Sequence, residues 1–189
     1  MTYSNDEKKT LLQIARDAIS FGLKNNTEMK INTSDYSKNL QQERASFVTL
    51  HLNHQLRGCI GSLQAYQPLI KGVAHNAYAA AFLDLRFLPL TLAEFPKLSF
   101  HISVLNAPES MTFISEEDLI RQLRPRIDGL ILTDGFHKGT FLPSVWEELS
   151  DPALFIKHLK QKAGLSPNYW SDSIKIERYT AESIGDDNK

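Results

Sequence analysis

The amino-acid sequence predicts an α+β fold in which helices pack on mainly antiparallel sheets. Three observations support this class. Some segments repeat apolar residues with the period of a helix, and others alternate apolar and polar residues as a strand does. The strand-like segments come in pairs joined by turn residues, as in hairpins, and not as regular βαβ units. With 42% hydrophobic and 23% charged residues, the composition is that of a folded globular chain.

Four segments carry helix signals, and the first is the clearest. Ser4 and Glu7 have the spacing of a capping box, and apolar residues from Leu11 to Leu23 recur on one helical face. The polar residues 25–43 that follow predict a loop covering the core. The other three helices are predicted to begin near Gln67-Pro68, at Ser115 and at Asp151-Pro152, and the last one to end at Gly164.

Two hairpins and two single strands account for the other ordered segments. The first hairpin joins residues 47–52 to 55–60 through Asn53-His54, and the second joins residues 129–133 to 138–142 through Asp134-Gly135. The single strands are predicted at residues 98–105 and around Ile174 and Ile176. The turn type of the first hairpin stays open, because His is atypical in the second turn position.

The length and the absence of a clear linker predict one domain. The 189 residues suffice for a single core, and no internal repeat divides the chain. We therefore treat residues 1–189 as one domain, in which two subdomains remain open. Residues 186–189 are expected to form a frayed tail.

Charge and hydropathy exclude several classes of function. The 21 basic and 22 acidic residues give a net charge of -1, which removes a global electrostatic reason to bind nucleic acid or an anionic membrane. Lys157, Lys160 and Lys162 come nearest to a basic cluster, and such a run is usually a solvated helix face. Residues 1–7 lack the features of a secretory signal, and no apolar run reaches the roughly 18 residues of a membrane span. A cytoplasmic protein without membrane contact is expected.

The single cysteine, Cys59, excludes an intramolecular disulfide and a multi-cysteine metal site. The histidines show neither an HExxH motif nor a tight metal-binding spacing beside a carboxylate. Motifs for nucleotides, serine hydrolases and dithiol redox centres are missing too, and one thiol cannot hold an iron–sulfur cluster. No metal and no cofactor are therefore expected.

The hexapeptide Leu56-Arg57-Gly58-Cys59-Ile60-Gly61 contains the residues best suited to chemistry. Side chains alternate along an extended strand, so Arg57 and Cys59 would share one face. A nearby cation stabilises the thiolate, and Gly58 and Gly61 would let a ligand or another backbone approach closely. The pattern therefore fits a nucleophile or an anion-binding site. The structural alternative is a cysteine packed as a small apolar residue beside glycines that allow tight packing.

Asp84, Arg86 and His75 are the other candidate site residues. Asp84 and Arg86 carry opposite charges two residues apart, and their default interpretation is a structural ion pair after the second helix. If they line a cleft beside Arg57, they could orient a substrate carboxylate or phosphate. His75 lies on the helix that follows the Cys59 strand, which could bring its imidazole near the thiol.

Three blocks of the sequence resemble the AMMECR domain family. Residues 56–61 resemble the signature of that family, residues 81–91 resemble its second block, and residues 140–143 with 162–164 resemble its third. The resemblance extends over roughly residues 8–182, in the family's order. It implies an α+β fold with a cleft near the hexapeptide, and it implies no established reaction. Where many members have His-Gly, this chain has Asp128-Gly129, which resembles a bacterial subgroup and puts a mechanism requiring that histidine in doubt.

The resemblance also implies partners. The bacterial and archaeal form is the A component of the AmmeMemoRadiSam system, which is associated with a Memo-like protein and a radical SAM protein. These two proteins are therefore the expected partners, whereas nucleic acid and membranes are not.

Two hypotheses about function follow. In the first, the protein is a thiol-dependent enzyme or enzyme subunit with a cleft at residues 56–61. The catalytic residues would be Cys59, Arg57 and Asp84, and the ligand-binding residues would be Gly58, Gly61, Arg86 and His75. In the second, the protein is a non-catalytic binding or scaffold module for a protein partner or a small anionic ligand. The reaction, the substrate and the oligomeric state stay open.

Overall fold

The computed structural model describes residues 3–186, which fall into two compact units. The first unit contains residues 3–105 and 182–186, and the second contains Asn106–Ala181. Each unit has its own sheet and its own apolar core. The last strand therefore returns the chain to the sheet of the first unit.

Three of the four α-helices among the described residues begin just after a capping side chain, and the helix after Pro68 begins without one. Among the described residues the helices are α1 Asn5–Asn25, α2 Leu69–Phe82, α3 Glu116–Gln122 and α4 Pro152–Lys162, with short 3-10 helices at Thr33–Asp35, Phe95–Lys97 and Pro143–Glu147. The predicted capping box is confirmed. The Glu7 backbone N–H donates to Ser4 Oγ at 3.2 Å, and the Ser4 N–H donates to the Glu7 carboxylate at 3.0 Å. Ser115 and Asp151 likewise accept from backbone N–H groups three residues on.

The strands form two four-stranded sheets, which confirms the predicted α+β class. They are β1 Ser46–Leu52, β2 Gln55–Gly61, β3 Leu98–Leu105, β4 Glu109–Ser110, β5 Gly129–Asp134, β6 His137–Phe141, β7 Lys175–Tyr179 and β8 Ala181–Gly185. The first sheet has the order β2-β1-β3-β8 and the second the order β4-β7-β5-β6. Both predicted hairpins are antiparallel pairs, as are β1 with β3 and β7 with both β4 and β5.

The first hairpin contains a tight turn and a bulge. Asn53 and His54 have φ values of 52° and 65°, which is the pair of positive angles that a two-residue type I′ turn requires. Further along, His51 pairs with Leu56 and Leu50 pairs with Gly58, so β2 contains one extra residue at position 57. Such a bulge bends its strand and interrupts the regular alternation of side chains.

The core of the first unit lies between the sheet and two helices. Leu50 and Val48 of β1 are fully buried, as is Val73 of the alanine-rich helix α2. Helix α1 packs against α2 and β3, and α2 packs against β1 and β2. Leu40 of the predicted loop is also buried in this cluster. The hexapeptide strand is therefore supported from one side by α2.

The core of the second unit corrects one prediction. Trp146 stacks on Phe155 with ring centroids 3.8 Å apart, and its indole N–H donates to a backbone carbonyl at 2.7 Å. Lys160 was predicted to lie on a solvated face, but it is fully buried in this unit. Its ammonium group donates to Glu116 Oε1 at 2.7 Å and to the Pro167 carbonyl at 3.3 Å. A lysine can be buried in this way because its charge is paired and hydrogen-bonded.

The end of the chain is anchored as far as the structure describes it. The Asp186 carboxylate accepts from the Phe100 backbone N–H at 3.0 Å and forms an ion pair with Arg16. Residues 187–189, which complete the predicted frayed tail, lie outside the described residues. Within residues 3–186, no helix combines the length and the apolarity needed to cross a bilayer.

Candidate functional site at the hexapeptide strand

The two glycines of the hexapeptide are sites of close packing. A Cβ atom at Gly58 would lie 2.1 Å from the Ala80 carbonyl oxygen, so only glycine allows the α2 backbone to approach so closely. A Cβ atom at Gly61 would lie 2.3 Å from the Phe47 ring. Of the two predicted alternatives, a ligand or another backbone, Gly58 admits the α2 backbone, and the space at Gly61 is taken by the Phe47 side chain.

The bulge at position 57 separates the roles of Arg57 and Cys59. Gly58 faces α2 and pairs with the buried Leu50, whereas the next residue, Cys59, pairs with the half-buried Thr49. Cys59 therefore lies on the sheet face opposite to α2. Because the bulge interrupts alternation, the face predicted to be shared by Arg57 and Cys59 no longer follows from strand geometry.

Arg57 fixes the loop that follows α2. Its Nε donates to Glu94 Oε1 at 2.8 Å, and its Nη2 donates to the Leu88 carbonyl at 2.9 Å and to Glu94 Oε2 at 3.3 Å. The residue is only 8% exposed, and its Nη1 has no hydrogen-bond partner among the described residues. The hydrogen bond from Arg57 is the main reason that the pKa of Glu94 falls to about 2. Glu94 was not among the predicted site residues.

Asp84 joins the hexapeptide backbone to Arg86. Its Oδ2 accepts from the Cys59 backbone N–H at 2.9 Å, and its two oxygens accept from Arg86 Nε at 2.9 Å and from Arg86 Nη2 at 2.7 Å. Arg86 Nη2 also donates to the Cys59 carbonyl at 3.3 Å. These contacts, with the Arg86 hydrogen bonds first, lower the pKa of the buried Asp84 carboxyl to about 2. The predicted ion pair is present, and its carboxylate is held against β2.

The Cys59 thiol is free and partly exposed. The Thr49 hydroxyl donates to its sulfur at 3.2 Å. The cation in contact with this residue is Arg86, whose pKa is raised mainly by its hydrogen bond to Asp84. Thr49 was not predicted, although its position opposite Cys59 follows once the hairpin register is known.

His75 is not brought to the thiol. Its Nδ1 lies 3.0 Å from Glu28 Oε2, in a half-exposed pair that involves the segment after α1. Over residues 3–186, no three His, Cys, Asp or Glu side chains are grouped so as to hold a metal ion.

The segment of residues 83–92, which we name the leucine loop, exposes large apolar side chains beside this site. Leu85 is 100% exposed, Leu88 84% and Leu92 70%, and Leu83 is also exposed. In contrast, Leu90 is buried, and its backbone N–H donates to the Ala81 carbonyl at 2.8 Å. The loop is thus anchored from inside by one leucine and presents four others to solvent.

A family model described as AMMECR1 matches residues 12–184. The chain belongs to the AMMECR1 family. A protein of Methanothermobacter thermautotrophicus is 34% identical over 186 residues, which cover 97% of this chain and 96% of that protein. Protein MJ0810 of Methanocaldococcus jannaschii is 35% identical over 157 residues, which cover 81% and 78%. The crystal structure of the uncharacterized protein PH0010 from Pyrococcus horikoshii has a TM-score of 0.90 and 32% identity, covering 97% of this chain and 93% of that one.

In this AMMECR1-family chain the hexapeptide and the second sequence block form one assembly, because Arg57 binds the Leu88 carbonyl and Asp84 binds the Cys59 N–H. The position at which the chain departs from many AMMECR domains has a structural role. The Asp128 carboxylate is fully buried and accepts from the Arg124 backbone N–H at 2.9 Å and from Arg124 Nη2 at 2.6 Å. It therefore closes the turn between α3 and β5.

Proposed function

We propose that this AMMECR1-family protein is a docking module that binds another protein through the leucine loop. The proposal rests on the exposure of Leu85, Leu88 and Leu92. The backbone of the segment that contains them is held by the hydrogen bond from Arg57 to the Leu88 carbonyl. Exposed leucines are common singly, but a group of large apolar side chains is typical of an interaction surface. The role of the hexapeptide is to brace this surface through Arg57 and through the Cys59 backbone.

The bracing contacts favour binding because they reduce the ordering that a partner must impose. Glu94 accepts from the Thr91 backbone N–H and from the Thr91 hydroxyl, both at 2.8 Å, while it holds Arg57. A loop ordered before binding loses less conformational entropy on association. Burial of each leucine side chain then contributes about 1.5–3 kcal/mol.

The chemistry of the loop specifies the chemistry of the partner. Arg86 is the one ionisable residue of the loop that reaches solvent, at 55% side-chain exposure, since the Asp84 carboxylate is buried. Its pair with Asp84 uses Nε and Nη2, which leaves Nη1 to donate to a further acceptor. A partner surface that fits the leucine loop is therefore apolar and contains one carboxylate, which accepts a charge-assisted hydrogen bond from Arg86.

The family resemblance supplies the partners to test first. We propose that the chain is the A component of the AmmeMemoRadiSam system and that the leucine loop contacts the associated Memo-like protein or radical SAM protein. A cytoplasmic location, which the single free cysteine favours, is part of this proposal.

The proposal is tested by calorimetric titration of the full chain against each of these two proteins from the same organism. Replacing Leu85 and Leu88 together by Ser should weaken binding at least about 100-fold, because two leucines at about 1.5–3 kcal/mol each amount to about 3–6 kcal/mol, and every 1.4 kcal/mol is tenfold. The matched control is Ile114→Ser, because Ile114 is 93% exposed and lies in the second unit. Equal affinity of the loop variant and the control, or no binding of the wild-type chain to either protein, would contradict the proposal.

A second candidate function is thiol chemistry at Cys59, favoured by its partial exposure and by the nearby Arg86 and Thr49. It predicts that Cys59 is alkylated by iodoacetamide faster than free cysteine at neutral pH, and that Arg86→Gln slows the reaction. Alkylation that needs unfolding would exclude it. Cys59→Ser separates the two functions, because the docking module keeps its affinity and the thiol enzyme loses its activity.

A further inference from the structure

A small cavity in the second unit contains two arginines that do not belong to the hexapeptide site. It has a volume of about 60 Å³ and is lined by Asn106, Ala107, Glu109, Arg124, Arg178, Tyr179 and Thr180. This volume is enough for several water molecules or for one small polar group. Because both arginines line the same small space, their spare donors can converge on one group.

Arg178 has the least satisfied guanidinium of this cavity. It lies on β7 opposite Glu109 of β4, and Nε is 3.7 Å from Glu109 Oε2, which is longer than a hydrogen bond. Among residues 3–186, its side chain makes no hydrogen bond. The Glu109 side chain is mostly exposed, so solvent screens this cross-strand pair.

Arg124 contributes donors from the other wall. Its Nε and Nη2 bind the buried Asp128 carboxylate, with Nη2 at 2.6 Å from Oδ1. This pair fixes the guanidinium and leaves Nη1 for another acceptor. Asn106 and Thr180 are bound to each other, with the amide Nδ2 donating to the hydroxyl at 2.6 Å. The cavity therefore offers guanidinium donors, and Glu109 is the acidic side chain in its lining.

We infer that this cavity binds a small oxyanion group, a phosphate or a carboxylate carried by a ligand, between the guanidinium groups of Arg178 and Arg124. The planar fork of an arginine matches both kinds of anion with two parallel hydrogen bonds. The anion displaces Glu109 from Arg178, which costs little because that pair is long and exposed. Arg124 is the positioning partner, since Asp128 keeps its side chain in place.

The experiment is a titration of the full, 15N-labelled chain with inorganic phosphate, followed by NMR at constant ionic strength. Saturable shifts are expected at the backbone amides of Asn106, Ala107, Glu109 and residues 178–180, and sodium chloride at equal ionic strength should not produce them. A parallel titration with acetate distinguishes the two sources of the anion. The anion that saturates the cavity at the lower concentration identifies the group that the ligand carries, phosphate or carboxylate.

Three single variants make the inference falsifiable. Arg178→Gln should weaken phosphate binding about tenfold, because it removes a charged, two-pronged donor. Glu109→Gln should strengthen binding several-fold by removing the competing carboxylate, and its exposed position leaves the fold unaffected. Arg121→Gln removes an exposed arginine that does not line the cavity, and it should leave affinity unchanged.

The inference is overturned if neither phosphate nor acetate produces saturable shifts, or if chloride produces the same ones. It is also overturned if Arg121→Gln weakens binding as much as Arg178→Gln, since the effect would then be one of general charge. Should Arg178→Gln fail to fold, the Glu109→Gln titration decides the matter, and unchanged affinity counts against the site.

Discussion

Asp84→Asn is the substitution that most directly tests the assembly of the hexapeptide and the leucine loop. The Asp84 carboxyl has a pKa of about 2 against an ordinary value of 3.8, mainly because Arg86 hydrogen-bonds to its ionised form. One pKa unit corresponds to 1.36 kcal/mol, so the ionised carboxylate stabilises the folded chain by about 2 kcal/mol. Asparagine still accepts from the Cys59 N–H, but its amide nitrogen cannot accept from Arg86. We expect a loss of about 2 kcal/mol at pH 7.

The pH dependence of this loss distinguishes charge from packing. The folded pKa lies below the unfolded one, so the stabilisation is complete well above pH 4 and is lost as the pH falls through about 2. About half of the wild-type advantage should therefore remain at pH 3. The assay is urea unfolding followed by far-UV circular dichroism at pH 7 and pH 3. Its matched control is Asp172→Asn, an exposed aspartate of the second unit.

Two results would refute this reasoning. A loss for Asp84→Asn that is equal at pH 7 and pH 3 would mean that the amide disturbs packing and that the charge contributes little. No loss at pH 7 would mean that solvent satisfies Arg86 and the Cys59 N–H as well as Asp84 does. Hydrogen exchange of the Cys59 amide supplies an independent measurement, since the variant should leave this amide less protected.

Two further predictions concern packing. Gly58→Ala should lower the free energy of unfolding by about 1–3 kcal/mol, because its Cβ would collide with the Ala80 carbonyl. Its control is Gly72→Ala, which should be neutral or slightly stabilising, because no neighbour of the added Cβ would be closer than 3.5 Å. Equal melting temperatures of the Gly58→Ala and Gly72→Ala variants would contradict the predicted collision. Lys160→Ala should lower the free energy of unfolding in urea by about 3–5 kcal/mol, because it removes the buried partner of Glu116 and leaves a cavity. Lys160→Met keeps the side-chain volume and should therefore cost less. Equal losses would show that packing is irrelevant there.

Local chemistry explains why much of the fold could be predicted from the sequence. The Ser4 and Glu7 capping box, the Asn53-His54 turn and the second hairpin depend on residues only a few positions apart, and all are present. The α+β class follows from the same local signals, because the spacing of apolar residues over a few positions distinguishes strands from amphipathic helices. The family resemblance located the candidate site, since two of its blocks turned out to be in contact.

Non-local contacts explain what could not be predicted. The bulge at Arg57 depends on how β2 aligns with β1, and the alternation of a single strand does not reveal it. Glu94 lies 37 positions from Arg57, and no spacing rule links them. The burial of Lys160 depends on Glu116, a residue of another helix 44 positions away. Each case is decided by tertiary packing, which overrides the local pattern.

The electrostatics of the site explain why docking fits the geometry better than nucleophilic catalysis. A thiol nucleophile at neutral pH needs a proton acceptor or a strong source of thiolate stabilisation. The carboxyl groups of Asp84 and Glu94 have pKa values of about 2, and base strength follows pKa, so neither is an effective general base. His75 is paired with Glu28, and Thr49 donates to the sulfur. Asp84 and Glu94 instead hold the backbone of the leucine loop, through the Arg86 and Thr91 N–H groups. A rigid apolar surface gains free energy only when another surface covers it.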